Sequence, residues 1–330
     1  MADFYSDWLS KSSDIEKAVN DGPRLSKGSE LKWVKTEQDA KAALMISPET
    51  GFPTAGSSLM KAEIPVGWHT GEHFHGEEAI YVEEGNGFLV LDGERYDFGP
   101  GSVIHVPFRS THQLFNTGTE PVLYLSALAW HLEASINMGK MEQLQECGTN
   151  EAAQLESFPV AASQNWPVDG RRIVMNKDQH VLTTRPGHGA TYSLGGGARE
   201  GSGMSANGFK MTAAGITSIF VENAHFKSHS HAHPEAYLYC LTGKGYSEIG
   251  GKYYEWEKGD AVHVPPGMMH HQHFNPSDGE TRELRFEFGI RYFMVNQWRG
   301  YSTVDDALVA AKLEAQETEE HSHEGHGHSH

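Results

Sequence analysis

Only two cysteines, Cys147 and Cys240, occur in 330 residues, too few and too far apart for a disulfide framework. No apolar run is long enough to cross a bilayer, and no basic-then-apolar leader pattern opens the chain. Basic residues are in deficit: 26 Lys and Arg stand against 44 Asp and Glu, a formal charge of −18. That balance disfavours a nucleic-acid backbone or an anionic membrane surface as partner. It leaves room for a small anionic substrate, which responds to the local field of a pocket. The chain has no G-x-S-x-G elbow, no C-x-x-C pair, no P-loop, no dinucleotide glycine fingerprint and no basic–aromatic stripe. These absences remove the commonest hydrolase, redox and nucleic-acid readings and predict a soluble cytoplasmic protein.

Glycine is plentiful, at 36 residues, and hydrophobic residues make up 38%, as a turn-rich β protein requires. One stretch organises the rest. It reads Gly67-x5-His73-x-His75-x2-Glu78-x6-Gly85, then Gly101-x5-Pro107-x4-His112-x3-Asn116. His73 and His75 alternate with Phe74, so a strand would send both imidazoles to one face. The segments 79–82 and 103–107 are apolar, β-branched and bounded by Gly-rich turns, hence strands. His112 and Glu78 follow at spacings that let neighbouring strands converge on one point. Three neutral nitrogens and one carboxylate suit a borderline divalent ion such as Fe(II), Mn(II), Ni(II) or Zn(II).

The motif recurs. An offset of 158 carries His73, His75 and Gly85 to His231, His233 and Gly243, and Gly101 to Gly259. It also carries His105-Val106-Pro107 to His263-Val264-Pro265 and His112 to His270. A register held over forty residues points to duplication. The copy is unequal, because Ala236 stands where the first half has Glu78. Glu77 and Glu235 lie one residue earlier in both halves, and on an unbroken strand they would share the histidine face. A shifted register, His229-x-His231-x3-Glu235, also has ligand spacing, and His271 and His273 compete with His270. The second site is therefore a three-His site, a 3-His-1-Glu site using Glu235, or an emptied one. His69, His105 and His263 read as groups that orient a ligand or pack in the core.

The paired H-x-H…E and later His, with their turn glycines, proline and asparagine, resemble the two-part motif of the cupin superfamily. The resemblance covers residues 56–130 and 214–290. It departs at Arg109, where Gly is usual, and the gap from His75 to Glu78 is one residue short. It implies an all-β fold of two cupin (double-stranded β-helix, or jelly-roll) barrels in tandem with a few peripheral helices. The expected segments are a helical lead-in (1–55), a first barrel (56–131), a linker (132–213), a second barrel (214–295) and a C-terminal helix with a tail (296–330). Helices are expected at 3–20, packed on a barrel or a partner subunit, near 37–45 and at 132–147, with a loop at 187–208. His231-Ala-His233 followed by Ala236 is similar to the gentisate 1,2-dioxygenase type of ring-cleaving enzymes. That likeness implies Fe(II), O2, a small aromatic or enolic substrate and a homo-oligomer. Aromatic residues near the motifs, Tyr81, Phe88, Phe115, Tyr237 and Tyr239 among them, are expected to wall the pocket. Arg109 is the candidate clamp for a substrate carboxylate, and Glu77 the candidate acid–base group. A redox-neutral isomerase or decarboxylase using Mn(II), Zn(II) or Ni(II) and a non-catalytic binding module are the alternatives. The His-rich tail, 321–330, reads as a loose metal chelator outside the mechanism.

Overall fold

On the strand Glu78–Glu84, successive side chains turn to opposite sides. Ile80 and Val82 join an apolar cluster inside the first half, whereas Ala79 and Tyr81 join a larger one outside it. The duplicate strand Ala236–Thr242 divides likewise: Ala236, Leu238 and Cys240 face inward, Tyr237 and Tyr239 outward. The computed structural model describes residues 3–162, 172–184, 190–194, 209 and 214–288. The tail and the expected helix before it lie outside the described residues.

Each half is a barrel of two facing sheets. In the first, Val174–Met175, Val103–Val106, Glu78–Glu84, Val122–Leu128, Ser58–Ile64 and Lys41–Ile46 pair in that order. The facing sheet contains Glu142–Gln145, Glu72–Phe74, His112–Asn116, Trp68–His69 and Gly148–Thr149, with Gly87–Leu91 and Glu94–Phe98. The second barrel repeats the plan with Leu25–Ser26, Ala261–Val264, Ala236–Thr242, Thr281–Phe288, Ala214–Glu222, Ala190–Ser193 and Val181–Thr184. These face Phe226–Lys227, His271–Asn275, Lys244–Ile249 and Lys252–Glu257. The tandem all-β architecture agrees with expectation.

Two features bind the barrels together. Leu25–Ser26, from the N-terminal part, pairs with Ala261–Val264 of the second barrel, while Val174–Met175 pairs with Val103–Val106 of the first. The exchange is reciprocal: His263 N–H donates to Arg24 O and His105 N–H to Ile173 O, both at 2.8 Å. Between the barrels lies the shared apolar cluster, in which Leu59, Tyr81, Leu125, Tyr237, Phe286 and Phe288 are all buried. Each such side chain contributes about 1.5–3 kcal/mol when fully buried, so neither barrel is energetically independent.

Asparagine fixes the turn after His112–Asn116 and after His271–Asn275. Asn116 Nδ2 donates to Ile64 O and Glu120 O, and Asn275 Nδ2 to Glu222 O and Gly279 O. Gly85 adopts φ +84°, and a Cβ there would meet Pro121 O at 2.5 Å.

Local expectations fail where pairing overrides propensity. Residues 37–45 are not helical. Lys41–Ile46 is a strand, drawn into register with Ser58–Ile64 because Ala42, Ala43, Met45 and Ile46 gain burial there. Of the helix expected at 132–147, only Trp130–Ser135 forms, and Glu142–Gln145 pairs with Glu72–Phe74. Within 187–208, Ala190–Ser193 is a strand along Ala214–Glu222. The helix Phe4–Asp21 forms behind its Asp3 cap, yet none of its residues is buried, with Trp8 61% exposed. Among the described residues no barrel surface buries this helix, and packing on a partner subunit is the other expectation made for it. No described helix is long and apolar enough to cross a membrane.

Candidate metal centres

Cross-strand pairing assembles the first cluster. His73 lies opposite His112 in register, and Glu78 opens the next sheet with its carboxylate turned toward them. His73 Nε2 is 2.8 Å from His112 Nε2, and Glu78 Oε2 is 3.1 Å from His112 Nε2 and 3.4 Å from His75 Nε2. One nitrogen or oxygen from each of His73, His75, Glu78 and His112 falls within 4.8 Å of the others, and all four residues are buried.

Backbone carbonyls assign the tautomers. His75 Nδ1 donates to Gly76 O and His112 Nδ1 to Ser110 O. Their Nε2 lone pairs therefore point into the cluster, the state a metal ligand requires. Burial pushes His73 down to about 2, with His112 and His75 adding to the effect, so its imidazole is neutral. Glu78 turns Oε2 toward the His112 and His75 Nε2 atoms. Ser126 Oγ donates to the other Glu78 oxygen. Three neutral donors and one carboxylate, preoriented and dry, fit a borderline divalent cation.

Beside this cluster, Asp39 accepts from the Tyr124 hydroxyl, and burial pushes its carboxyl up to about 7. No motif announced Asp39. It arrives on an irregular turn, through bonds with Thr36.

The second barrel gathers four histidines. His231, His271 and His273 bring ring nitrogens within 4.8 Å of one another, and His233 Nε2 lies 3.0 Å from His271 Nε2. His231 Nδ1 donates to His229 O, His233 Nδ1 to Pro234 O and His271 Nδ1 to Met269 O. All three therefore present Nε2 lone pairs. Burial lowers His231, and it pushes His271 down to about 3 with help from His233.

His270 is not brought to the cluster. It is exposed, with Ser230 Oγ 3.4 Å from its Nδ1, and His271 occupies the position opposite His231. The turn after Pro265 is one residue longer than that after Pro107, which shifts the offset from 158 to 159. A signal for this was present: His112-x3-Asn116 recurs as His271-x3-Asn275, not from His270.

Neither Glu77 nor Glu235 joins a cluster. Neighbours on a strand face opposite ways, so with Glu78 turned inward Glu77 turns toward the other barrel. There Glu77 accepts from His105 Nε2 at 2.8 Å and from Ala214 N–H at 2.8 Å. Glu235 accepts from His263 Nε2 at 2.9 Å, Ser57 Oγ at 2.7 Å and Ala55 N–H at 3.0 Å. Each carboxylate thus grips the other barrel's first long strand or the turn leading into it.

Arg109 sits exposed in a turn at φ +61°, its N–H bonded to His75 O and its guanidinium 5.7 Å from the Phe108 ring centre. The left-handed backbone explains why glycine is usual there. The aromatic wall is also displaced. Tyr81, Tyr237 and Tyr239 belong to the inter-barrel core, and Phe88 stacks on Phe115 in a separate cluster with Phe158. Residues 187–189 and 195–208 of the expected loop lie outside the described residues.

Residues 60–128 and 218–285 each match the family described as Cupin domain. An uncharacterized protein of Methanocaldococcus jannaschii is 36% identical over 70 residues, 21% of this chain and 56% of that protein. The match thus spans little more than half of that relative's length. Among solved structures, the salicylate 1,2-dioxygenase from Pseudaminobacter salicylatoxidans is 14% identical with a TM-score of 0.56, covering 74% of this chain and 75% of that one. An oxalate decarboxylase from Lactobacillus farciminis is 11% identical with a TM-score of 0.59, covering 81% and 87%. A deletion mutant of the Bacillus subtilis oxalate decarboxylase is 14% identical with a TM-score of 0.60, covering 81% and 77%. At these identities the likeness establishes the fold.

Proposed function

We propose that this chain, a bicupin with two cupin domains in tandem, is an iron(II)-dependent dioxygenase that cleaves a carbon–carbon bond of a small aromatic or enolic substrate. The observation that carries the reading is the histidine-only set of the second barrel. His231, His233 and His271 present three neutral nitrogens, and Ala236 removes the carboxylate. On an octahedral ion three protein donors leave about three positions, enough for a chelating substrate and O2 together. When bound there, iron(II) would supply electron transfer from the chelated substrate to O2. The protein holds the three imidazoles in the ligand tautomer, and burial favours the neutral forms of His231 and His271. The first cluster, with Glu78 as fourth donor, leaves about two positions and is the more enclosed of the pair.

That first cluster supports a second reading. Asp39 and Tyr124 form a buried proton-carrying pair beside a 3-His-1-carboxylate set. Such a pair suits redox-neutral acid–base chemistry at a Mn(II), Zn(II) or Ni(II) Lewis acid. The deciding experiment is oxygen uptake by protein reconstituted anaerobically with Fe(II), screened against hydroxybenzoates, catechols and 1,3-diketones. Uptake equal to substrate consumed is expected. Equal turnover in argon and in air refutes the dioxygenase reading and leaves the Lewis-acid one.

A further inference from the structure

The strand pairings of the two barrels correspond, so interior positions of the second can be read against the first. Ile80 pairs with Ser126 and Glu78 with Leu128 in the first. In the second, Leu238 pairs with Arg285 and Ala236 with Glu287. The second barrel has thus exchanged the inward carboxylate for a methyl group and that carboxylate's hydroxyl support for a guanidinium. On His271–Asn275, the position two residues past the last ligand is His273, where the first barrel has Leu114.

Arg285 is not a surface residue that happens to be near. Its strand Thr281–Phe288 alternates: Leu284, Phe286 and Phe288 go to the inter-barrel core, which leaves Arg285 and Glu287 on the barrel's inner side. Arg285 Nη2 is 2.5 Å from Glu287 Oε1, and its guanidinium lies 5.7 Å from the centre of the Phe220 ring, which packs on the same interior cluster. Arg285 thus stands at the cross-strand place of Ser126, whose hydroxyl reaches Glu78 in the first cluster.

His273 differs from its three neighbours in tautomer. Trp256 Nε1–H donates to Ser247 Oγ at 3.0 Å, and Ser247 Oγ is 2.9 Å from His273 Nδ1. Among the described hydrogen bonds, the Ser247 hydroxyl proton has no acceptor other than His273 Nδ1. His273 Nδ1 then accepts, and its proton sits on Nε2. Three histidines offer lone pairs to the centre and the fourth offers an N–H.

We infer that Arg285 and His273 form an anion slot in the second barrel, placed to take a carboxylate of a small chelating acid where the first barrel supplies Glu78 itself. The inference rests on the reading of His231, His233 and His271 as metal donors. A divalent ion held by neutral ligands beside a guanidinium carries excess positive charge that Glu287 offsets only in part. An anionic ligand completes the site, and a neutral one does not. Arg285 is a binding residue here, since it would touch the ligand, and Glu287 holds it in place.

The test uses the His75→Ala protein, whose first cluster is disabled, loaded with one equivalent of Co(II) and freed of loosely held metal by gel filtration. Salicylate is titrated by calorimetry and by the visible Co(II) bands, with uncharged salicylamide as the control. One salicylate per chain is expected, with a change in the bands and a clear preference over salicylamide. The double substitution Arg285→Ser and Glu287→Leu restores types close to those at Ser126 and Leu128. It should weaken salicylate by about tenfold or more, as loss of a charged hydrogen bond does, and leave salicylamide unchanged. Ala236→Glu should abolish salicylate binding while Co(II) stays bound, because the protein's own carboxylate then fills the slot. Loss of Co(II) from the His75→Ala protein itself would refute the metal reading. Retained Co(II) with no salicylate bound, or with binding unaltered in both slot variants, would refute the anion slot alone.

Discussion

Removing the Glu235 carboxylate should loosen the junction between the barrels without emptying a metal centre. Glu235 is 3% exposed and takes three donors: Ala55 N–H, Ser57 Oγ and His263 Nε2. Glu235→Ala strands all three in a dry interface, at about 1–3 kcal/mol each. Allowing for water entering the vacated space, a loss of about 4–6 kcal/mol is expected, against the ~5–15 kcal/mol of a typical fold. Glu235→Gln keeps the shape and one acceptor oxygen, but its amide opposes a donor, so about 1–2 kcal/mol should be lost. Urea denaturation followed by tryptophan fluorescence and far-ultraviolet circular dichroism measures both. The two probes should coincide, since the barrels share a core and exchange strands. A cost under about 1 kcal/mol for Glu235→Ala would show that the clasp carries little of the stability. Loss of metal from the second barrel in the Gln variant would make Glu235 a ligand after all.

Other outcomes are as open to measurement. His75→Ala should lower tightly bound metal from about two ions per chain to about one, read by elemental analysis after gel filtration, and an unchanged content would refute the first cluster as a metal centre. Arg109→Gly relieves a left-handed non-glycine residue and should stabilise by up to about 1 kcal/mol, seen as a higher Tm. Because Arg109 is exposed, KM should not move in that variant. Burial pushes Glu222 up to about 7. Between its unfolded value of 4.5 and 7 the folded carboxyl stays protonated while the unfolded one ionises, so this group's contribution to stability is present below about 4.5 and is lost as pH rises toward 7. Glu222→Gln should flatten that decline in a pH series of urea melts, and an undiminished slope assigns it elsewhere.

The histidines, their alternation and the duplication were legible because metal ligation needs fixed residue types at short spacings within one repeat. Period-two alternation likewise revealed which side chains share a face, including the inward placement of His73 and His75. Single-residue slips were not. One added residue in the turn after Pro265 put His271 rather than His270 opposite His231, and only the Asn275 anchor, which must bond specific carbonyls, kept the count. The helix expected at 37–45 failed because its apolar residues gain burial by pairing with Ser58–Ile64, and the one expected at 132–147 stops at Ser135, beyond which Glu142–Gln145 pairs with Glu72–Phe74.

The amino-acid order by itself determined two barrels, one His-x-His…Glu…His set and a second set lacking its carboxylate. Tertiary structure alone decided what each charged neighbour does. Glu77 and Glu78 are adjacent in the chain, yet one clasps the opposite barrel and the other turns into a cluster, because a strand sends consecutive side chains to opposite sides. Asp39 and Arg285 reach their centres on a turn and a strand remote in sequence from the motifs, through backbone pairing that no local pattern encodes.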